Sequence, residues 1–490
     1  MVESRRGGLW SAIGIGAGIA WLSRIGEVGL VGALPIGLVG ALLLSAGVSQ
    51  LVWPGDRRGT EVGALTGLVG AILALPLGFA IGPLAALFLS ASALAAAVAA
   101  GRMALELEPQ HAGVPAPKPS LRLAAKIAVD EVLLGLELGQ RGSFALDGEL
   151  ERAVEELAQC RDAFARQGFL EQPATYHVRP PDLVNPEIRT RRIAGHAVEV
   201  LRFESGYAPR EGEPGRERWL GYSGCRDAWA YVVRSGGSGR PWLVCTNGYR
   251  MGHAEIDVRV FARFFTRLGL NVLIPVLPLH GPRRRGLHSG TGFLGLDVID
   301  TLHAEAQAVW DIRRLLGWIR AQEPSAIGAL GLSLGGYTTA VYASLEDGLV
   351  CAIPGISLAD IPRMLARHAV PRQLSRALAG GYCLDRAREV LCVVSPLALE
   401  PKVPKAGRML FGAVADRLVT PDHVRDLWRH WDEPEIVWYQ GGHVTFRLER
   451  SVFAGIDRML RKSGLVGSER AASIASASDM TTSSAEERRA

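Results

Sequence analysis

Residues 7–103 carry only seven charged side chains: Arg24, Glu27, Asp56, Arg57, Arg58, Glu61 and Arg102. A stretch so poor in charge has little to turn toward water, so its elements must bury one another or meet lipid. The charges divide it into uncharged segments at residues 7–23, 28–55 and 62–101. A membrane-crossing helix needs about 20 apolar residues. The first segment is short for that, the second suffices for one crossing, and the third for two, with Gly82-Pro83 as the turn. Glycine and other small residues recur throughout, which suits close helix packing in lipid.

The flanking charges predict an orientation. Four crossings put Arg5, Arg6, Arg57, Arg58 and Arg102 on one side and leave Arg24, beside Glu27, on the other. Basic residues collect on the cytoplasmic side, so the chain after Arg102 is expected in the cytoplasm. If residues 7–23 lie along the interface instead, three crossings place the remainder outside. Ser4-Arg5-Arg6 before an apolar run also suits an export signal, but the apolar sequence continues far beyond one such segment and no small-residue cleavage site follows. The expectation is a multi-pass membrane protein with the lipid bilayer as a partner.

Composition agrees. The 490 residues are 48% hydrophobic and 21% charged, with a positive mean hydropathy of +0.16, too apolar for a wholly soluble protein. The net charge of +5 is modest, and no basic run is interleaved with aromatics, so a nucleic-acid partner is not expected. The six cysteines (Cys160, Cys225, Cys245, Cys351, Cys383 and Cys392) form no CxxC pair. Cys245 and Cys351 sit in apolar strand-like runs, which fits reduced thiols acting as small core residues. Neither a metal nor an organic cofactor is expected.

Residues 104–190 read as a linker and helical segment. The proline-rich part is 108–119, and 120–168 is helical, with Leu150, Val154, Leu157, Cys160 and Phe164 at helical spacing and Gly168 as C-terminal cap. Packing between the membrane part and the domain that follows is its expected role. Residues 206–218 form a polar, glycine-rich loop, and 463–490, rich in Ser, Ala, Glu and Arg, is expected to be disordered.

Between 191 and 462, strand-like runs (229–234, 242–246, 271–277, 327–330, 350–353, 409–413 and 435–439) alternate with amphipathic helices (255–268, 301–321, 335–344, 421–431 and 445–462). That alternation predicts an α/β fold: a doubly wound, mostly parallel sheet with helices on both faces. Chemistry in such a sheet gathers at the carboxyl ends of the strands.

The sharpest local signal is Gly331-Leu332-Ser333-Leu334-Gly335-Gly336, directly after a strand and opening a helix. A serine on a tight strand-to-helix turn is exposed above the sheet, and glycines two residues to either side make room for neighbouring backbone. A serine nucleophile needs a base, and the base an orienting carboxylate. Asp416 follows the strand at 409–413, and His443 follows the strand at 435–439 behind Gly441 and Gly442. Asp360 is the alternative acid. Asp422, His423 and His430 lie in or near a helical stretch and read as surface residues, whereas His303 and His368 look helical and read as structural. The oxyanion hole is expected from the backbone N–H of Leu334 and of Tyr249, with Gly248 as the alternative to the latter.

These features resemble the α/β-hydrolase superfamily over slightly more than half the chain. The matching parts are Trp242 to Gly248, Pro275 to Gly281, the serine turn, the strand-end aspartate and the Gly-Gly-His. That superfamily often carries a variant of D-x-P-G-H-G after its fourth strand. Here the loop is Leu277-Pro278-Leu279-His280-Gly281-Pro282, which makes His280 a loop-ordering residue and not the base. The Arg-rich loop together with Pro434 to His443 is similar to the branch of alpha/beta hydrolase domain-containing protein 18.

Arg283, Arg284 and Arg285 are candidates to bind a substrate phosphate or carboxylate; a solvated loop or a contact with anionic lipid is the alternative. Residues 357–400 are a candidate cap over the pocket. The chemistry expected is a serine hydrolase opening an ester or thioester through an acyl-enzyme, on a small-molecule or lipid acyl substrate. A peptidase or amidase with the same residues is the second reading, and a membrane scaffold with a hydrolase-like binding domain the third.

Overall fold

A computed structural model describes residues 3–137 and 147–467. The chain begins with helices α1 (Glu3–Leu22), α2 (Leu30–Val52), α3 (Arg57–Ile81), α4 (Pro83–Leu107) and α5 (Leu121–Glu137), followed by α6 (Asp147–Gln167). Strands β1 (Glu187–Ile193) and β2 (His196–Glu204), the short α7 (Arg216–Leu220), β3 (Asp227–Val233) and β4 (Trp242–Thr246) come next. Then follow α8 (Ala254–Arg267), β5 (Asn271–Val276), α9 (Val298–Arg320), β6 (Ile327–Leu332), α10 (Leu334–Leu345) and β7 (Leu349–Gly355). Helices α11 (Ile361–His368), α12 (Pro371–Ala379) and α13 (Leu384–Val390) occupy the candidate cap, before β8 (Met409–Ala413), α14 (Pro421–His430), β9 (Glu435–Tyr439) and α15 (Arg450–Lys462).

The strands form one nine-stranded sheet in the order β1-β2-β3-β5-β4-β6-β7-β8-β9. Pairing is antiparallel from β1 to β5 and parallel from β5 through β4, β6 and β7 to β8. Every residue of β4, β5 and β6 is buried, which is why these read as continuous apolar runs: a central parallel strand is covered on both faces. β1 is the opposite case. Its sequence EIRTRRI is exposed except at Ile193, and charges blunt a sheet edge against stray pairing.

The described chain divides into two compact units. The first contains Met1–Gly142, Gly412–Arg425 and Val437–Val452; the second contains Ser143–Phe411, Asp426–Ile436 and Phe453–Ala490. The helical stretch at 120–168 is therefore split, α5 belonging to the first unit and α6 to the second.

In the first unit, α2, α3 and α4 are long and apolar enough to cross a membrane, at 23, 25 and 25 residues with mean hydropathy 2.0 to 2.1. The small residues expected to favour close packing sit at the helix crossings. A Cβ on Gly67 would meet Ala93 O at 2.6 Å, and one on Gly18 would meet Leu44 N at 2.6 Å. Gly82, at φ +83°, turns α3 into α4 as anticipated. Trp21, Ile36, Leu43 and Leu89 are sealed inside, whereas Leu30, Val31, Phe79 and Leu84 are 82–100% exposed. At the end of α4, Ala104 and Leu105 join Leu123 and Ile127 of α5 against Val414 and Ala415, the two residues before Asp416.

In the second unit, α6 is held by salt bridges: Arg152 to Asp297 at 2.7 Å and Glu156 to Arg218 at 2.7 Å. Gly168, at φ +73°, ends α6, with Phe169 N donating to Phe164 O. Leu465 and Val466, beyond α15, are buried, so the ordered chain runs past 462. The rest of the tail expected to be disordered, from 468, lies outside the described residues.

Candidate active site

β6 ends on Leu332 and α10 starts on Leu334, leaving Ser333 alone to make the turn. Its backbone sits at φ 59°, ψ −117°, a conformation that costs an L-residue on the order of 1–3 kcal/mol and persists only where its surroundings enforce it. The enforcement is visible. Ser333 N donates to Gly355 O at 3.0 Å, and Tyr337 N donates back to Ser333 O at 3.1 Å. The turn also leaves no room for side chains beside it: a Cβ on Gly331 would meet Gly335 O at 2.0 Å, and one on Gly335 would meet Thr246 O at 2.2 Å. Leu334 opens α10, where a first-turn N–H has no helical acceptor.

The loop after β4 lies against this turn. A Cβ on Gly248 would stand 3.5 Å from Ser333 Cβ. The Gly248 N–H points to Met251 Sδ at 3.3 Å. The loop is organised by Asp257 of α8, whose carboxylate accepts from Asn247 Nδ2 at 3.1 Å and from Gly252 N at 3.1 Å. Burial pushes the Asp257 carboxyl up to about 7, against the pull of these two hydrogen bonds. His280 is fully buried with Nδ1 at 2.8 Å from Pro278 O, and its ring packs on Tyr249 and Phe293. Burial lowers its pKa to about 4, and it orders its loop.

Asp416 and His443 stand in the first unit, and there they meet. His443 Nδ1 lies 2.7 Å from Asp416 Oδ2, and both residues are buried. Asp416 Oδ1 accepts from Leu418 N at 3.0 Å and Val419 N at 2.8 Å, which fixes the carboxylate. Tyr439 Oη donates to Gly442 O at 2.9 Å, and Thr445 Oγ1 accepts from Gly442 N at 3.0 Å, which fixes the histidine loop. Burial alone would lower the His443 pKa, but the Asp416 charge and hydrogen bond, with Asp130 beyond, raise it above the ordinary histidine value. A histidine donating Nδ1–H to a carboxylate keeps Nε2 as a base for a hydroxyl.

The rival residues are otherwise engaged. Asp360 caps α11 by accepting from Arg363 N at 2.9 Å and pairs with Arg388 at 3.0 Å. His303 and His430 place Nε2 on the carbonyls of Pro214 and Leu399. Asp422 and His423, expected at the surface, are buried in the first turn of α14, and Asp422 faces His111 at 3.6 Å.

For the arginine loop the expectation needs correction at one position. Arg283 turns inward: it is 1% exposed, pairs with Asp311 at 2.8 Å and donates to Val276 O at 2.9 Å. Its charge is neutralised inside the protein and does not reach a substrate. Arg284 and Arg285 are exposed, and Arg285 lies over the Tyr222 ring at 4.4 Å.

Three residues of the first unit escaped the sequence reading: Asp130, Glu131 and Glu108. Arg417, next to Asp416 and 2% exposed, donates from Nε to Glu131 Oε1 at 2.8 Å and from Nη1 to Glu108. Glu131 in turn accepts from Thr60 Oγ1 at 2.5 Å. A signal was present, because Leu123, Ile127, Asp130 and Leu134 share one helical stripe of α5, and a carboxylate has no place on such a stripe without a buried partner.

The strand order, with a lone strained serine between β6 and α10, is that of an α/β-hydrolase fold. No protein-family model matches the chain. It is 42% identical over 361 residues to Uncharacterized protein MT2702 of Mycobacterium tuberculosis strain CDC 1551 / Oshkosh and to Uncharacterized protein Rv2627c of strain ATCC 25618 / H37Rv. Each match covers 73% of this chain and 86% of the relative, and the chain belongs to the family of these two mycobacterial proteins. Among solved structures it is similar to Acetyl Xylan Esterase 1 from Thermoanaerobacterium sp. JW/SL YS485, with a TM-score of 0.43 at 15% identity, covering 61% of this chain and 93% of that one. A Mycobacterium tuberculosis puromycin-hydrolyzing peptidase gives a TM-score of 0.39 at 15% identity, over 59% and 41% of the two chains.

Proposed function

We propose that this protein is a membrane-anchored serine hydrolase that cleaves an ester or thioester of an apolar or lipid acyl substrate through an acyl-enzyme. The observation that carries the reading is the backbone of Ser333, held at φ 59°, ψ −117° at the head of α10. A packing turn gains nothing from that strain, whereas a nucleophile gains exposure and a helix N-terminus. In this reading His443 Nε2 takes the Ser333 proton as Oγ attacks the acyl carbonyl, and Asp416 steadies the imidazolium. The N–H groups of Leu334 and Tyr249 receive the oxyanion, and His443 returns the proton to the departing alcohol or thiol. Water then opens the acyl-enzyme by the same route in reverse.

The anchor is supported by the exposed apolar side chains of α2, α3 and α4. A fourth crossing by α1 is supported by its packing along α2, where Gly18 lies against Leu44 and Ile15 against Gly47. With four crossings, the positive-inside rule assigns the catalytic domain to the cytoplasm. We also propose membership of the alpha/beta hydrolase domain-containing protein 18 branch, on the segment Pro434 to His443 and the Arg-rich loop.

The test is labelling of the full chain in membranes with a fluorophosphonate probe. Wild type is expected to label and Ser333→Ala to stay blank. Equal labelling of the two, or none in either, rejects the assignment.

A further inference from the structure

One atom of α5 joins the two loops that carry the acid and the base. Asp130 Oδ2 accepts the backbone N–H of His443 at 2.7 Å and the backbone N–H of Arg417, the residue after Asp416, at 3.1 Å. Asp130 is fully buried. Its approach requires Gly442, where a Cβ would stand 2.5 Å from the same oxygen. The adjoining Glu131 holds the Arg417 side chain, so two successive carboxylates of α5 grip Arg417 by its backbone and by its guanidinium.

We infer that Asp130 is a positioning residue for catalysis, setting the Asp416–His443 pair in register from the helix that follows the membrane-spanning segment. The inference rests on the serine-hydrolase reading given above. The distances argue for it in three ways. A single acceptor shared by two loops fixes their separation more tightly than separate bonds would. The 2.7 Å bond goes to the backbone of the base itself, so movement of the carboxylate moves the imidazole. And nothing in ordinary packing repays burial of a carboxylate unless it is hydrogen-bonded to something that must be held. Burial first, and the neighbouring Asp416 next, push the Asp130 carboxyl above the usual carboxylate range. His443 and the N–H groups of His443 and Arg417 pull the other way. α5 packs tightly onto the bundle: a Cβ on Gly101 of α4 would meet Ala124 O at 2.2 Å, and one on Gly135 of α5 would meet Glu61 O at 2.9 Å. The membrane helices thereby support the placement of the dyad as well as the location of the enzyme.

The experiment compares wild type, Asp130→Ala and Asp130→Asn as full chains in detergent micelles. It measures hydrolysis of p-nitrophenyl acetate over a pH series and the rate of fluorophosphonate labelling. Asp130→Ala is expected to lower kcat and the labelling rate by about 10- to 100-fold with KM nearly unchanged, the scale of a misplacement near 1 Å. Asp130→Asn keeps an acceptor oxygen for both N–H groups and is expected to recover most of that kcat. Wild-type kcat and labelling in Asp130→Ala overturn the inference. Should that variant not fold, Asp130→Ser, which withdraws the shared acceptor with less loss of volume, is read by the same measures: wild-type kcat and labelling rate overturn the inference, and a loss that Asp130→Asn recovers upholds it. If wild type itself fails to label at Ser333, the hydrolase reading has failed. If it labels at Ser333 while Asp130→Ala labels equally fast, only the positioning role has failed.

Discussion

His443 Nδ1 and Asp416 Oδ2 stand 2.7 Å apart in a site where both side chains are buried. Such a bond selects the tautomer with its proton on Nδ1, and an asparagine in place of the aspartate selects the wrong one. Asp416→Asn is therefore expected to lower kcat on the order of 10³- to 10⁴-fold with folding preserved. Steady-state kinetics beside near-ultraviolet circular dichroism checks it, and a fully active variant would hand the acid role to Asp360.

The same pair fixes a pH dependence. The His443 pKa is raised above 6.5, the ordinary value, and in the role proposed for it the imidazole works only when neutral. The acid limb of kcat/KM is thus expected above about 6.5, with activity rising as pH climbs through it. Stability runs the other way. A raised folded-state pKa contributes stability that is fully present below the unfolded value and is lost as pH rises through the folded one. Activity and melting temperature measured across pH 6 to 9 should show these opposed slopes, and His443→Gln should flatten both contributions.

Arg283 and Arg285 should separate cleanly on substitution. Arg283→Ala leaves Asp311 buried without its cation and is expected to cost about 3–5 kcal/mol. Arg285→Ala, at an exposed site, should stay within about 0.5 kcal/mol. Thermal unfolding of the two variants is the comparison, and equal losses would return Arg283 to the surface.

Topology is open to a direct assay. Inside-out vesicles should expose the region after Arg102 to added protease, and sealed right-side-out vesicles should protect it. Protection in the inside-out preparation would mean three crossings, with α1 lying in the interface.

The parts of this fold that were legible in the sequence are those where one physical demand leaves one pattern. β4, β5 and β6 are buried on both faces, so their residues are almost all apolar. Ser333 needs glycines around it because backbone atoms stand where their side chains would be. β1 was missed because a charged edge strand has no apolar face to reveal it. Arg283 was misread because nothing local tells a buried arginine from an exposed neighbour; its partner Asp311 lies in α9. Asp130 was legible only as an anomaly on an apolar stripe, since the groups that explain it lie 287 and 313 residues further along the chain.

That separation has a consequence for how the protein is made. At about 5–20 residues per second, the ribosome delivers Asp130 roughly 15–60 s before it delivers His443. Through that interval α5 has α4 to pack against, but the loops that its carboxylates hold are not yet made. On the reading proposed above, a chain whose first helices find no bilayer would lack the seat that α5 offers to the loops of Asp416 and His443.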